Sequence, residues 1–414
     1  MTPTLVPLPD GSITSPQGFT AAAAHAGLKP DGAPDVALLV SSASCATAGV
    51  FTKNAVRAAP VLYDADLLGE RPGRMRAVAM NARVANACTG AAGLAAARAV
   101  AQAAERAAGL PSRTALVLST GVIGLPLPVE QVAEGLRQAA TRLARDGGID
   151  AARAIMTTDT RPKHHAVRLE TAAGVITVGG IAKGSGMIHP DMATLLAVLT
   201  TDAAAEPAQL APLLRRVADR TFNAISVDGD TSTNDTVLLL ANGTAGVDPA
   251  RDGALWKLFE EAVQQVARHL ALAIVSDGEG ASKLLEIHVV GAASETAARE
   301  VGRAVARSVL VKTALYGADP NWGRVLAAAG AAGVPLNTDR LSLQASGGDG
   351  GSGAWLTLAT GGATAHPDPG QARAIFQEKT VRLRLDLGIG RAEAVVWTCD
   401  LTPDYVRINA DYTS

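Results

Sequence analysis

The chain has 414 residues, more than the ~100–150 of an average single core, so we expect two lobes. Its 37 Lys and Arg nearly balance 39 Asp and Glu, which argues against nucleic acid and anionic membrane surfaces as partners and favours a small-molecule substrate. The three cysteines lack the spacing of a disulfide framework or zinc site, and neither the N-terminus nor any later apolar run resembles a targeting or membrane segment, which predicts a cytoplasmic protein.

Four segments have features typical of packing helices. An alanine-rich stretch over residues 91–108 stops at Gly109, a good helix terminator. Apolar side chains recur on one helical face within residues 132–143 and 255–270. Ser294 is a candidate N-cap for a fourth helix, which we expect to run to about Val309.

Strand-like runs lie between these helices, and several are apolar throughout, as expected for strands covered on both faces. They occupy residues 114–118, 175–178, 195–199, 237–240 and 284–290. Near the C-terminus, alternating apolar residues at 381–387 are separated by Gly388-Ile389-Gly390 from the run at 392–398, which predicts a hairpin with one solvent-facing side. The Gly/Ser-rich segment 346–353 is predicted to be a mobile surface loop. The mixture predicts an α+β fold with antiparallel sheet layered against helices.

Polar residues cluster in short blocks separated by plain hydrophobic sequence, and a functional site is expected among these blocks. The blocks are residues 118–124, 156–160, 183–194, 226–236, 276–283 and 319–324.

The third block ends in Ala193 and Thr194, at the start of an apolar run. If the bond between them were cleaved, Thr194 would carry its hydroxyl beside a free α-amine. Such an amine, with a pKa of ~7.7–8.0, is a suitable general base near neutral pH. The local sequence alone favours the plainer alternative, a β-branched residue that begins a strand.

Common cofactor motifs are not matched. Lys183-Gly184-Ser185-Gly186 lacks the spacing of a phosphate-binding loop. The block that begins at Asp228 has Thr233 and Leu239 where a calcium loop needs glycine and glutamate. His164, His165 and His189 lack the spacing of metal ligands. We therefore expect neither a metal nor a bound cofactor.

Taken together, the blocks resemble the ornithine acetyltransferase (glutamate N-acetyltransferase) family, from Gly18-Phe19 to residues 408–414. The strings 183–194, 228–236, 277–283 and 319–324 occur in the family's order. The resemblance implies a layered α/β/β/α sandwich of the DmpA/ornithine-acetyltransferase kind with a smaller C-terminal α/β lobe. Residues 1–285 would form the catalytic lobe and residues 286–414 the smaller lobe, with the extreme C-terminus returning to the active site.

The resemblance also implies self-cleavage between Ala193 and Thr194 into an α chain of residues 1–193 and a β chain of residues 194–414, assembled as α₂β₂. Thr194 would take the acetyl group from N-acetylornithine and pass it to glutamate, and the family permits acetyl-CoA as a second donor. Thr120 and Gly121 would form the oxyanion hole. The implied substrate contacts, besides Thr194, are Thr157, Lys183, Glu279, Asn409 and Ser414.

These residue types suit the implied roles. Lys183 is suited to neutralise the substrate α-carboxylate and Glu279 to receive the ornithine ammonium. A structural salt bridge is the alternative for each of these two charges.

One segment departs from the family pattern. Residues 81–90 resemble a family string in which Ser-Gly-Asn stands where this chain has Ala82, Arg83 and Val84. A small, polar turn is thereby replaced, so local loop geometry and acceptor preference are expected to differ if the segment borders the pocket.

Two other functions remain as alternatives to the acetyltransferase. In a related self-processing hydrolase or aminopeptidase, water would resolve the acyl-enzyme. A non-catalytic amino-acid-binding protein would keep the fold and never cleave. The pair of Lys183 and Glu279 favours an α-amino acid acceptor and therefore the acetyltransferase.

Overall fold

The computed structural model describes residues 3–189, 195–348 and 353–411. Ala193, Thr194, Ser414 and the centre of the glycine-rich segment predicted at 346–353 lie outside these ranges. The strands are β1 (Thr4–Leu8), β2 (Phe19–Ala24), β3 (Val36–Phe51), β4 (Met75–Asn81), β5 (Ala115–Ser119), β6 (Lys163–Thr171), β7 (Gly174–Lys183), β8 (Leu196–Thr201), β9 (Ile225–Ser226), β10 (Thr236–Ala241), β11 (Leu284–Ala292), β12 (Ser342–Gly347), β13 (Leu356–Thr360), β14 (Ala363–Thr364), β15 (Thr380–Asp386) and β16 (Ala392–Cys399). The α-helices are α1 (Ala59–Glu70), α2 (Gly90–Ala107), α3 (Val129–Ala140), α4 (Gly148–Ala154), α5 (Pro207–Arg220), α6 (Gly253–Ser276), α7 (Glu295–Ala306), α8 (Val309–Tyr316), α9 (Trp322–Gly330), α10 (Pro369–Gln377) and α11 (Pro403–Asp411).

The long strand β3 joins two sheets that pack face to face. Its second half, residues 46–51, pairs antiparallel with β10, and the sheet continues through β8, β7 and β6 to β1. Its first half, residues 36–41, lies between β2 and β4, and β5 pairs with β4 on the far side. One continuous strand therefore fixes the position of both sheets.

Apolar side chains of these strands alternate between two layers of core, as the two-residue period of a strand requires. Leu196, Val198, Leu238 and Leu240 point from the first sheet into the space between the sheets, where they belong to one core with Leu39 and other residues of the second sheet. The opposite face of the first sheet packs against α5 and α6, and the outer face of the second sheet packs against α2 and α3. The order helix, sheet, sheet, helix confirms the predicted layered sandwich.

A second sheet-and-helix unit follows toward the C-terminus. Among the described residues its strands lie in the order β14-β13-β12-β15-β11-β16-β9, and its core is closed by α7, α9 and α10. The boundary predicted between residues 285 and 286 lies inside β11, and β9 comes from before that boundary. The division into two lobes at this position stays a prediction.

The hairpin predicted between residues 381–387 and 392–398 is wrong. Both runs form strands, but β11 lies between them, because Leu285 pairs with Val381 on β15 and with Thr398 on β16. The connecting turn crosses the end of β11, where the N–H groups of Ile389 and Gly390 donate to the Gly291 carbonyl. Alternation in each run is a local property and does not specify the neighbouring strand.

The signals predicted for the C-terminal end of α2 and for the N-terminal end of α7 are confirmed. Gly109 follows α2 with a φ of 63°, a conformation that glycine adopts without strain. The Ser294 side chain accepts a 3.1 Å hydrogen bond from the Ala297 N–H at the start of α7. This helix ends at Ala306, earlier than predicted, because Ser308 caps a new helix, α8.

No helix in the described ranges has the length and apolar character needed to cross a bilayer.

Candidate active site

One pocket collects six of the predicted site residues from five elements or the loops that follow them. Of the predicted site residues, Thr120 and Gly121 follow β5, Thr157 follows α4, Lys183 ends β7, Glu279 follows α6 and Asn409 lies on α11. All six line the same pocket. Leu195, the residue after Thr194 in the chain, lines it as well. Ala193, Thr194 and Ser414 themselves lie outside the described residues.

Backbone contacts hold the turn at Thr120 and Gly121 in place. The Thr120 N–H donates to the Asn81 carbonyl at 3.1 Å, which continues the pairing of β4 with β5. Gly121 has a φ of 133°, and a Cβ atom there would lie 2.1 Å from the carbonyl carbon of Arg83. Only glycine fits this position, so the turn presents its backbone closely to the pocket.

Asn234 fixes the same turn from the other side. Its Nδ2 atom donates to the carbonyl of Ser119 at 2.8 Å and to the carbonyl of Ala85 at 2.6 Å. Both carbonyls belong to segments that line or flank the pocket. One buried amide therefore joins them and limits their relative movement.

Lys183 brings a buried ammonium group to the turn. Its Nζ atom donates to Oγ1 of Thr120 at 3.3 Å. Because an ammonium has no lone pair, the Thr120 hydroxyl accepts from Lys183 and keeps its own hydrogen to donate elsewhere. Burial lowers the pKa of Lys183, and the neighbouring charge of Asp159 opposes that shift. The pocket is thus equipped to bind a carboxylate and to donate a hydrogen bond.

Glu279 supplies a carboxylate to the same pocket. Its Oε2 atom accepts a 2.7 Å hydrogen bond from Nδ2 of Asn409, and its N–H donates to the Ser185 carbonyl at 2.9 Å. A Cβ atom at Gly186 would lie 2.4 Å from the Glu279 carboxyl group, so glycine at this position leaves room for the carboxylate. A cationic ligand group is the natural complement of this side chain.

The pocket is also lined by Ser232, Asn234 and Asp235. They belong to the polar block at residues 226–236, but none of them was among the predicted site residues. Their position relative to β10 could have indicated that they lie at the site. These residues directly precede β10, which is parallel to β8 with Thr236 opposite Leu196. Parallel neighbours begin at the same edge of a sheet, so the residues before β10 lie at the edge where β8 begins.

The segment that departs from the family pattern borders the pocket. Ala85 lines it, and the Arg83 carbonyl accepts a hydrogen bond from the Val122 N–H at 3.0 Å. Arg83 has a φ of 73°, the left-handed conformation that favours glycine. This chain therefore places an arginine in a backbone conformation suited to the glycine that the family pattern has there.

Among the described residues, no group of three or more His, Cys, Asp or Glu side chains is arranged to hold a metal ion. The predicted absence of a metal and of a bound cofactor stays a prediction. The described part of the pocket offers an ammonium, a carboxylate, hydroxyl groups and backbone donors, a set suited to binding an amino acid and stabilising an oxyanion.

Residues 20–414 match the ArgJ family. The chain is 48% identical over 405 residues to the arginine biosynthesis bifunctional protein ArgJ of Symbiobacterium thermophilum, which covers 97% of this chain and 98% of that protein. It is 45% identical over 399 residues to the protein of the same name from Thermotoga neapolitana, which covers 96% and 99% of the two chains.

Among solved structures, the chain is similar to an ornithine acetyltransferase of Mycobacterium tuberculosis in complex with ornithine. The identity is 40% over 47% of this chain and 100% of that chain, with a TM-score of 0.42. The match to the ArgJ family confirms the resemblance predicted from the sequence blocks. This chain belongs to the ArgJ family.

Proposed function

We propose that this protein is a self-processing acetyltransferase of arginine biosynthesis that moves the acetyl group of N2-acetylornithine to glutamate through an acetyl-Thr194 intermediate. The observation that carries the proposal is the convergence of Lys183, Glu279 and the Thr120-Gly121 turn in one pocket, which Leu195 also lines. This set provides a site for a carboxylate, a site for an ammonium and donors for an oxyanion beside the residue that follows Thr194.

The proposed self-cleavage is an acyl shift followed by hydrolysis. Oγ1 of Thr194 attacks the carbonyl carbon of Ala193, the peptide C–N bond breaks, and the leaving nitrogen takes a proton. An ester then joins Ala193 to the threonine oxygen. Water hydrolyses this ester, which leaves a carboxylate on Ala193 and restores the Thr194 hydroxyl beside its free α-amine.

The proposed transfer uses the liberated threonine twice. Its α-amine removes the proton from Oγ1 as the oxygen attacks the acetyl carbonyl of N2-acetylornithine. The acetyl C–N bond breaks, and ornithine leaves with a proton on its nitrogen. The α-amine of glutamate then attacks the acetyl ester, which gives N-acetylglutamate and regenerates Thr194. The Thr120 hydroxyl and the Gly121 backbone face the oxyanion in each step.

Substrate binding is assigned by charge. The Lys183 ammonium pairs with the α-carboxylate of either substrate, and the Glu279 carboxylate pairs with the side-chain ammonium of ornithine. Asn409 orients that carboxylate through its 2.7 Å hydrogen bond. Thr157 contacts the substrate from the pocket wall, and Ser414 is assigned the same role from the family pattern.

We further propose how the two chains assemble and in which compartment the protein acts. The α chain of residues 1–193 and the β chain of residues 194–414 stay associated and pair as α₂β₂ in the cytoplasm. The reaction requires no metal or bound cofactor, and acetyl-CoA serves as a second acetyl donor in those members that are bifunctional.

The test is acetyl transfer by the purified protein. With N2-acetylornithine and glutamate we expect ornithine and N-acetylglutamate in equal amounts, with ping-pong kinetics, and no transfer by Thr194→Ala. Transfer retained in Thr194→Ala would contradict the proposed nucleophile. Acetate released at the full rate without glutamate would instead identify a hydrolase.

A further inference from the structure

A buried network of charges lies behind the pocket and centres on Lys163. The side chain of Lys163 has no exposed surface. Its Nζ atom donates to Oδ1 of Asp159 and to Oδ2 of Asp277, each at 2.6 Å. Lys163 does not itself line the described part of the pocket.

Asp159 connects this network to the Lys183 side of the pocket. Its Oδ1 atom also accepts a 2.8 Å hydrogen bond from the N–H of Gly184, the residue after Lys183. Its Oδ2 atom accepts a 3.0 Å hydrogen bond from the N–H of Thr157. Burial raises the pKa of Asp159, but the charges of Lys183 and Lys163 outweigh burial and lower the pKa to about 2. Asp159 is therefore an anion that holds two lining segments.

Asp277 connects the network to the Glu279 side. It stands at the C-terminal end of α6, two residues before Glu279. Its carboxylate accepts hydrogen bonds from the N–H of Thr160, at 3.0 Å, and from the hydroxyl of Thr160. The loop that carries Glu279 is thus fixed to the end of α6 and to the segment that precedes β6.

Lys163 is the group that makes this arrangement compatible with burial. Two buried carboxylates at the same cation repel each other unless the cation compensates both charges. Without the ammonium, the carboxylates would separate or one would take up a proton. Either change would move the segment of Lys183 relative to the segment of Glu279.

We propose that Lys163 is a positioning residue that sets the distance between the Lys183 ammonium and the Glu279 carboxylate, and thereby the length of the acyl donor's side chain that the pocket accepts. The inference rests on the proposed function, in which these two groups bind the two charged ends of N2-acetylornithine. A fixed separation discriminates against N2-acetyllysine, whose side chain is longer by one methylene.

The test compares Lys163→Met with Lys312→Met in the purified, two-chain protein. Methionine keeps most of the side-chain volume and removes the charge. Lys312 is a suitable control because it is also buried, but it donates to Thr398 and Cys399 in the C-terminal unit. The quantity measured is the ratio of kcat/KM for N2-acetylornithine to kcat/KM for N2-acetyllysine, with kcat and KM determined separately.

We expect Lys163→Met to raise KM for N2-acetylornithine at least tenfold, to lower kcat less, and to reduce the preference ratio at least tenfold. Lys312→Met should leave the ratio unchanged. An unchanged ratio in folded Lys163→Met overturns the inference. Should that variant fail to fold, Asp277→Asn carries the same expectation and the same contrary outcome. A wild-type protein without transfer activity would contradict the proposed function itself, whereas an active wild type with an unaltered variant ratio contradicts only the role of Lys163.

Discussion

The Nζ atom of Lys183 lies 3.3 Å from Oγ1 of Thr120 and donates to it. The contact links the group proposed to bind the substrate carboxylate to the group proposed to stabilise the oxyanion. The buried ammonium also polarises the Thr120 hydroxyl, which makes its hydrogen a stronger donor to a developing negative charge. In the proposed mechanism, substrate binding and transition-state stabilisation therefore share one hydrogen bond.

Thr120→Val removes this hydroxyl and keeps the shape of the side chain. We expect kcat for acetyl transfer to fall by about 10²-fold to 10³-fold, the usual cost of losing one oxyanion donor. Thr158→Val is the matched control, because the Thr158 hydroxyl lines the same pocket but is paired with the Ser185 hydroxyl at 2.6 Å. Steady-state kinetics on both variants checks the assignment, and equal losses in both would argue against a special role for Thr120.

Glu279→Gln removes a charge and retains an acceptor for Asn409. We expect KM for N2-acetylornithine to rise about 10-fold to 100-fold, since a charge-assisted hydrogen bond contributes about 1.5–3 kcal/mol. N2-acetylnorleucine, an isosteric donor with a methyl group in place of the side-chain ammonium, should be used equally well by wild type and variant. Glu261→Gln on the exposed face of α6 serves as the control. A parallel loss on both donors would show that Glu279 does not recognise the ammonium.

Arg83→Gly tests the strained turn that supports Gly121. A left-handed conformation costs a non-glycine residue about 1–2 kcal/mol, which a glycine would avoid. The greater flexibility of glycine in the unfolded chain offsets roughly 0.5–1 kcal/mol of this gain. We expect the free energy of unfolding to rise by up to about 1 kcal/mol. Arg74→Gly, in a loop position without a left-handed φ, should instead destabilise the protein. Denaturant titration measures both variants, and a destabilised Arg83→Gly would be contrary to the argument.

The lowered pKa of His165 makes the free energy of unfolding depend on pH. Its ring stacks on His269 at a centroid distance of 4.0 Å, and its Nδ1 atom has no hydrogen-bond partner among the described residues. Burial, together with the charges of His269 and His164, lowers the pKa of His165 to about 4. The unfolded chain therefore binds a proton near pH 6.5 that the folded chain does not bind until about pH 4.

The free energy of unfolding should accordingly fall as the pH drops from 6.5 to 4. In His165→Phe this dependence should weaken, by at most about 1.4 kcal/mol per pH unit. His366→Asn, at an exposed histidine, should keep the wild-type slope. Denaturant titrations at several pH values give the three slopes, and identical slopes in wild type and His165→Phe would exclude this histidine as the source.

The layers of the fold could be predicted from local patterns, because a strand that is buried on both faces consists mainly of apolar residues. The runs at residues 196–199 in β8 and 237–241 in β10 are apolar throughout, and every residue of these two strands is buried. The pairing of β15 and β16 could not be predicted in this way. The intervening strand β11 comes from ~100 residues earlier, and nothing in the alternation of either run specifies it.

The candidate site likewise combines residues that local sequence predicted with residues that it did not. Blocks with unusual polar composition pointed to Thr120, Lys183 and Glu279, which the fold brings to one pocket. Lys163 carried no such signal, because it lies outside these blocks, three residues after the one at 156–160. Its partner Asp277 is 114 residues away in the chain, so the reason for burying this lysine exists only in the folded protein.

Intact mass spectrometry of the purified protein tests the central claim most directly. We expect two polypeptides, one ending at Ala193 and one beginning at Thr194, whose masses sum to that of the 42.0 kDa chain plus one water. With N2-acetylornithine and no acceptor, the second polypeptide should gain one acetyl group, and Thr194→Ala should remain a single chain. A single uncut chain that transfers acetyl groups at the full rate would contradict the account.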